Sequence, residues 1–148
     1  MQKITPFLWF DNQGEEAANY YVSIFKKSKI THVTPGPNNQ AMWVSFELEG
    51  QEYMALNGGP QFKFTEAISF FVNCEDQKEV DYLWEKLSSD PKAEQCGWLK
   101  DKFGLSWQII PKQLSELMSK DKSGRVMQAM LKMKKIDIAK LQQAYEQP

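Results

Sequence analysis

The chain has 148 residues, 42% of them hydrophobic and 25% charged, with a formal net charge of -1. That length and balance suit one domain with a full hydrophobic core and exclude wholesale disorder. An isoelectric point near 5.9 speaks against a nucleic-acid-binding domain basic over its whole surface, and no run approaches the roughly 18 apolar residues that span a bilayer.

Residues 3–10 are rich in β-branched and aromatic types, a strand pattern that ends at Asp11-Asn12-Gln13-Gly14. They contain no apolar signal core or small-residue cleavage site, so a cytoplasmic protein is expected. Asn12 with Glu15 three residues later predicts a capping box. The helix it opens would bury Ala18, Tyr21, Val22 and Phe25, spaced i, i+3, i+4, i+7. Ile30–Thr34 is a short strand stopped by the loop composition Pro35-Gly36-Pro37-Asn38-Asn39. Met42, Val44, Phe46 and Leu48 then alternate with Trp43, Ser45 and Glu47, Glu49-Gly50 supplies hairpin chemistry, and residues 52–57 return as the partner strand. Asn57-Gly58-Gly59-Pro60 closes this first module.

The order then repeats. Ala67–Asn73 reads as a strand, Asp76 with Glu79 as a second capping box, and Val80, Leu83, Trp84 and Leu87 as a helix stripe. Ser88-Ser89-Asp90-Pro91 breaks the helix, and residues 92–100 and 105–110 read as strands around an Asp101–Gly104 turn. Two β-α-β-β-β units at half-chain spacing imply a duplicated module. Beyond Pro111 the character changes: residues 112–148 carry eight Lys and Arg against four Asp and Glu, leaving the first 111 at -5. Helices are predicted around residues 124–133 and 137–145. Their Met residues suit packing against the body or a twin subunit, and Lys132, Lys134 and Lys135 suit a solvated face or an anion site.

Chemistry is marked mostly by absence. The chain holds two cysteines, Cys74 and Cys96, and one histidine, His32, too few for a zinc site of the Cys/His type. No phosphate loop, dinucleotide fingerprint or nucleophile elbow is present. Cys96 lacks an assured positive neighbour, and both cysteines read as structural. Trp9, Trp43, Trp98 and Trp107 all fall on predicted strands. Strand tryptophans build cores, yet they also line small-molecule pockets in which a few polar groups orient the ligand. Asn57, Ser69 and Gln108 are the polar candidates beside them. Trp107 and Gln108 are adjacent, so they point to opposite faces of their strand.

Several stretches together resemble a known family: Ile4–Asp11, Leu56-Asn57-Gly58-Gly59-Pro60, Ala67–Phe70, Cys96-Gly97-Trp98, Ser106–Pro111 and Met133–Ile138. The chain resembles, over its whole length, the PhnB-like, or 3-demethylubiquinone-9 3-methyltransferase-like, branch of the glyoxalase (vicinal-oxygen-chelate) superfamily. The resemblance implies an α+β fold of paired β-α-β-β-β modules forming a curved mixed sheet around a cavity, with a C-terminal helical tail. Residues 1–111 would be the glyoxalase-like domain, with modules at 1–60 and 61–111, and 112–148 an extension packed on the body or a dimer partner. A homodimer is implied. Metal-dependent members place His, Gln or Glu on cavity-facing strands, where this chain offers Ile4, Thr5 and Pro6, then Leu56 and Asn57, then Ala67 and Ser69, and finally Gln108.

The expectation is therefore a metal-free protein without a cofactor that binds a small molecule, with Trp9, Asn57, Ser69, Trp107 and Gln108 in the ligand-binding region, no catalytic residue assigned, and neither nucleic acid nor membrane as partner. Two other readings stay open. One is an enzyme of the methyltransferase or glyoxalase-like type, for which Glu47, Glu52 and Glu94 are the nearest carboxylates. The other is an interaction module using the basic tail.

Overall fold

A computed structural model describes residues 2–147 of the chain, which fall into two compact units, residues 2–64 and 65–147. The first unit runs β1 (Phe7–Phe10), α1 (Gly14–Ile24), β2 (Lys29–Pro35), β3 (Ala41–Leu48) and β4 (Gln51–Asn57). Its sheet has the order β1-β4-β3-β2, with β1 parallel to β4 and the other pairs antiparallel. Glu49 and Gly50 both have positive φ (51° and 83°), the left-handed pair that a two-residue hairpin requires.

The helix begins differently from the sequence expectation. No Asn12–Glu15 box forms, and Gln13 stands at the N-cap without a side-chain bond. The acceptor for the first helical amide comes instead from β4: Asn57 Oδ1 takes the Gly14 N–H at 2.7 Å. The buried stripe is Gly14, Ala17, Ala18, Tyr21 and Ile24, while Val22 and Phe25 are half-buried. Phe25 already has extended backbone as the C-cap, so Ile24 closes the stripe. Tyr21 stacks on Phe46 (centroids 6.3 Å apart), which places α1 on the face of Leu8, Phe10, Val44, Phe46 and Ala55, all buried.

The second unit runs β5 (Ser69–Cys74), α2 (Gln77–Leu87), β6 (Trp98–Lys100) and β7 (Ser106–Pro111), with sheet order β5-β7-β6. Again the first strand lies parallel to the last. The Asp76 cap forms, accepting from Glu79 N at 2.9 Å, while Glu79 Oε1 accepts from Glu75 N at 2.8 Å. Val80, Leu83 and Leu87 are buried, as are Leu99, Trp107 and Ile109 on the strands beneath.

Residues 92–100 do not form one strand. Pro91–Ala93 is a 3-10 turn capped by Asp90, and Gln95 pairs back onto Trp98 around Cys96 and Gly97, whose φ angles are 53° and 87°. Proline geometry and a left-handed dipeptide turn the apparent strand into a hairpin, so this unit carries one strand fewer than the first.

Three helices follow, α3 (Lys112–Lys120), α4 (Arg125–Leu131) and α5 (Ile138–Glu146). The first was not expected, because Pro111 reads as a break; in the structure Pro111 is its N-cap. Ile110, Leu114, Leu117, Val126, Ile136 and Leu141 form their common core. The 95–98 hairpin anchors the tail: Cys96 N–H and Gly97 N–H donate to Met133 O and Lys134 O, both at 2.8 Å. A Cβ on Gly97 would lie 2.6 Å from Ile110 Cδ1 and 3.2 Å from both Ile109 O and Ile136 Cγ1.

Gly97→Ala is therefore expected to cost about 3 kcal/mol, backbone strain plus overpacking, in urea denaturation. Gly104→Ala, at φ +88° with nothing within 4 Å, should cost only about 1–2 kcal/mol; equal losses would refute the packing account. A second test concerns Asp121. Its carboxylate accepts from Ser123 Oγ (2.6 Å), Ser123 N (3.0 Å) and Val126 N (2.9 Å), and the Ser123 hydroxyl foremost, then the Val126 N–H, pull its pKa down to about 2. A depressed carboxylate stabilises the fold above its unfolded value near 4 and loses that contribution as pH falls toward about 2. The side-chain carbon resonance of Asp121 should titrate near 2 in the native protein, and a midpoint near 4 would show that these bonds are absent.

Candidate functional site

Strand alternation decides which side chains each sheet turns away from its helix. In the first unit that face carries Phe7 and Trp9 on β1, Met54 and Leu56 in register on β4, and Trp43 and Ser45 beyond them on β3. Phe7 is 52% exposed. Trp9 is half-buried and held from its edges: its indole N–H donates to Gly59 O at 2.9 Å, and Phe62 meets the ring edge-on at 4.9 Å. Gly58 lies flat on the indole, since a Cβ there would come within 2.5 Å of the ring. The Gly58-Gly59 pair thus serves tryptophan packing.

Asn57 is committed to the fold. Besides accepting from Gly14 N–H, it donates through Nδ2 to Ala41 O at 2.9 Å, joining the start of α1 to the start of β3.

In the second unit Trp107 lies on the α2 side, 2% exposed. Its indole donates to Asp101 Oδ2 at 2.9 Å, and Asp101 Oδ1 accepts from Phe103 N and Leu105 N at 2.8 and 3.1 Å. Phe70 meets Trp107 edge-on at 5.2 Å. Gln108 therefore points the other way, and there it meets Ser69: Gln108 Nε2 donates to Ser69 Oγ at 3.0 Å. Both are half-buried, as is Trp98 opposite Gln108 on β6, while Phe71 in the same row is 57% exposed.

Of the five sequence candidates, the structure joins Ser69 and Gln108 directly. Trp9 lies on the corresponding face of the first unit, and Asn57 and Trp107 use their polar atoms to hold the backbone and a loop. Lys100 and Ser106 were missed. They are cross-strand partners in the row next to Gln108, Lys100 pairs with Glu66, and the buried Ser106 hydroxyl has no protein partner. Alternation from Gln108 points to Ser106, whereas Lys100 is reached only through the β6–β7 register.

The carboxylates are placed as follows. Glu47 and Glu52 face each other across β3 and β4. Glu94 accepts from Trp84 Nε1 (2.9 Å) and Ser88 Oγ (2.6 Å), which fixes the turn after α2. Burial, with Glu79 nearby, pushes the Cys74 thiol up to about 12, so it stays protonated at neutral pH.

Neither a superfamily metal nor a methyl-donor nucleotide fits these residues. Among the described residues no three His, Cys, Asp or Glu side chains are grouped to hold an ion, and the Ser69–Gln108 pair offers two neutral oxygens, a weak set for a catalytic divalent cation. A nucleotide would use the amides of a strand-to-helix turn. Here Asn57 closes the turn into α1 and Asp76 the turn into α2, and β7 runs into α3 at Pro111 with no glycine-rich turn between them. No helix among the described residues is long and apolar enough to cross a membrane.

The family model described as 3-demethylubiquinone-9 3-methyltransferase matches residues 2–110. A Bacillus cereus PhnB protein, described as a candidate 3-demethylubiquinone-9 3-methyltransferase, is 36% identical with a TM-score of 0.65, over 74% of this chain and 99% of that one. Protein PA1353 of Pseudomonas aeruginosa shares the fold at 17% identity (TM-score 0.61, 75% and 98% covered). So does an Arabidopsis thaliana gene product at 15% (TM-score 0.51, 72% and 96% covered). No curated protein matches the sequence significantly.

Asn57→Ala should leave the Gly14 amide and the Ala41 carbonyl without their partner and cost about 1–3 kcal/mol in denaturant unfolding. A change below about 0.5 kcal/mol would mean that the Asn57 amide is free for another task.

Proposed function

Because the chain belongs to the 3-demethylubiquinone-9 3-methyltransferase family and is 36% identical to a PhnB protein, we propose that it is a glyoxalase-superfamily protein that binds a small, partly apolar molecule without a metal. The ligand lies on the sheet face turned away from α2. The observation that carries this reading is the Ser69–Gln108 hydrogen bond on a face whose neighbours, Phe71 and Trp98, are aromatic and incompletely buried. The next row of that face adds Ser106 and the Glu66-paired Lys100, and a few polar groups beside aromatic surface are the usual composition of a site that orients a small ligand. Ser69 and Gln108 contact the ligand while Trp107 supports β7 from its other face; Trp9 and Asn57 serve the first unit, one as aromatic surface on its own sheet and the other as a backbone tie. The family resemblance supports a homodimer in the cytoplasm. The methyl transfer in the family's name finds no support in the strand-to-helix turns, and no step is assigned.

Native mass spectrometry of the purified protein identifies a bound molecule, and calorimetry then measures its affinity in variants. Ser69→Ala and Gln108→Ala are each expected to weaken binding about three- to tenfold, one hydrogen bond's worth, with unfolding midpoints preserved. Unchanged affinity in both would remove these residues from the site. S-adenosylmethionine should give no heat and no thermal shift; saturable binding of it, or stoichiometric metal in protein prepared without chelator, would overturn the reading.

A further inference from the structure

The second unit has a separate cleft of about 440 Å³, lined entirely by α2, the 132–137 segment and α5, and by no strand residue. Its lining includes Lys132, Lys134, Lys135 and Lys140 against Asp81 and Asp137, a local net of +2 in a chain whose total is -1. Lys135 is paired with Asp81 at 3.0 Å, and Asp137 caps α5 by accepting from Lys140 N at 3.2 Å. Lys132, Lys134 and Lys140 make no ion pair among the described residues.

The cleft backbone is anchored from two directions. Gln77 Nε2 donates to Ile136 O (2.9 Å) and Gln77 Oε1 accepts from Ile138 N (2.8 Å), while Met133 O and Lys134 O accept from the Cys96–Gly97 turn. Lys132 and Lys134 therefore project from a fixed segment and Lys140 from the first turn of α5, whose start Gln77 also holds, which lowers the ordering cost of gathering them on one ligand. Lysine serves phosphate as a mobile point charge, and a phosphate monoester carries roughly -1.5 to -2 at neutral pH, matching the net charge of the cleft.

We propose that this cleft is a binding site for a phosphate-bearing small molecule, with Lys132, Lys134 and Lys140 supplying the charge and Gln77 holding the segment that presents them. It does not depend on the ligand reading of the sheet faces, since no residue is shared. The net positive charge of the cleft concentrates anions there.

The test is amide NMR on the full chain titrated with inorganic pyrophosphate, with acetate at matched ionic strength as the second arm. Saturable shifts confined to Gln77, Asp81 and residues 132–140 are expected, weakening as salt rises. Lys134→Ala/Lys140→Ala should raise the midpoint about tenfold, whereas Lys120→Ala/Lys122→Ala, outside the cleft, should leave it unchanged. Non-saturating drift at every lysine-bearing segment would overturn the proposal, as would acetate acting equally or the cleft variant keeping the wild-type midpoint. The wild-type shift map decides localisation even if a variant folds poorly.

Discussion

Each unit is organised by one pairing: its first strand lies parallel to its last, β1 beside β4 and β5 beside β7. Parallel neighbours need a crossover, and the helix that supplies part of it covers one face of the sheet. Once α1 buries Tyr21 and Ile24 against that face, and α2 buries Val80, Leu83 and Leu87, the register is determined by hydrophobic burial. A slip of one residue would exchange every inward side chain for an outward one. The choice between Trp107 and Gln108 is settled in this way, and with it the choice of the face on which a ligand finds polar groups.

Polar side chains that look available in the sequence often hold other groups of the protein instead. Asn57 reaches 43 residues back to the first amide of α1, Asp101 holds a loop and an indole through both oxygens, and Glu94 closes the turn behind α2. An unmet buried donor or acceptor costs about 1–3 kcal/mol, a large share of a domain's net stability. Ser69 and Gln108 differ because they bond to each other, and exchanging that bond for one to a ligand leaves no backbone group unmet.

The helical tail is part of the second unit, and it is attached both through backbone bonds to the Cys96–Gly97 turn and through the Gln77 side chain. Only glycine tolerates both the left-handed φ and the close approach of Ile110 and Ile136 at position 97. The Cys96-Gly97-Trp98 motif is thus explained by the tail carbonyls it binds. The same anchoring presents the lysines of residues 132–140 on a fixed segment, so a basic composition becomes a localised cleft.

Much was legible in the chain itself. Most of the element order through β7 follows from periodicity, the Asp76 cap of α2 from local spacing, and the shortage of histidine and cysteine from composition. These are properties of residues near one another or of simple counts, which no packing can alter. The tertiary structure alone decided the rest: Asn57 replacing Asn12 at α1, the α1 stripe ending at Ile24, the hairpin within residues 92–100, and α3 starting directly after Pro111. It also decided that Gln108 meets Ser69, 39 residues away, while Trp107 turns into the core. Each depends on a partner brought close by folding, and hydrogen-bond choice across such separations is governed by which buried group would otherwise be left unmet. The single histidine excludes a histidine-based metal site by arithmetic, whereas only packing determines which polar groups remain to meet a ligand.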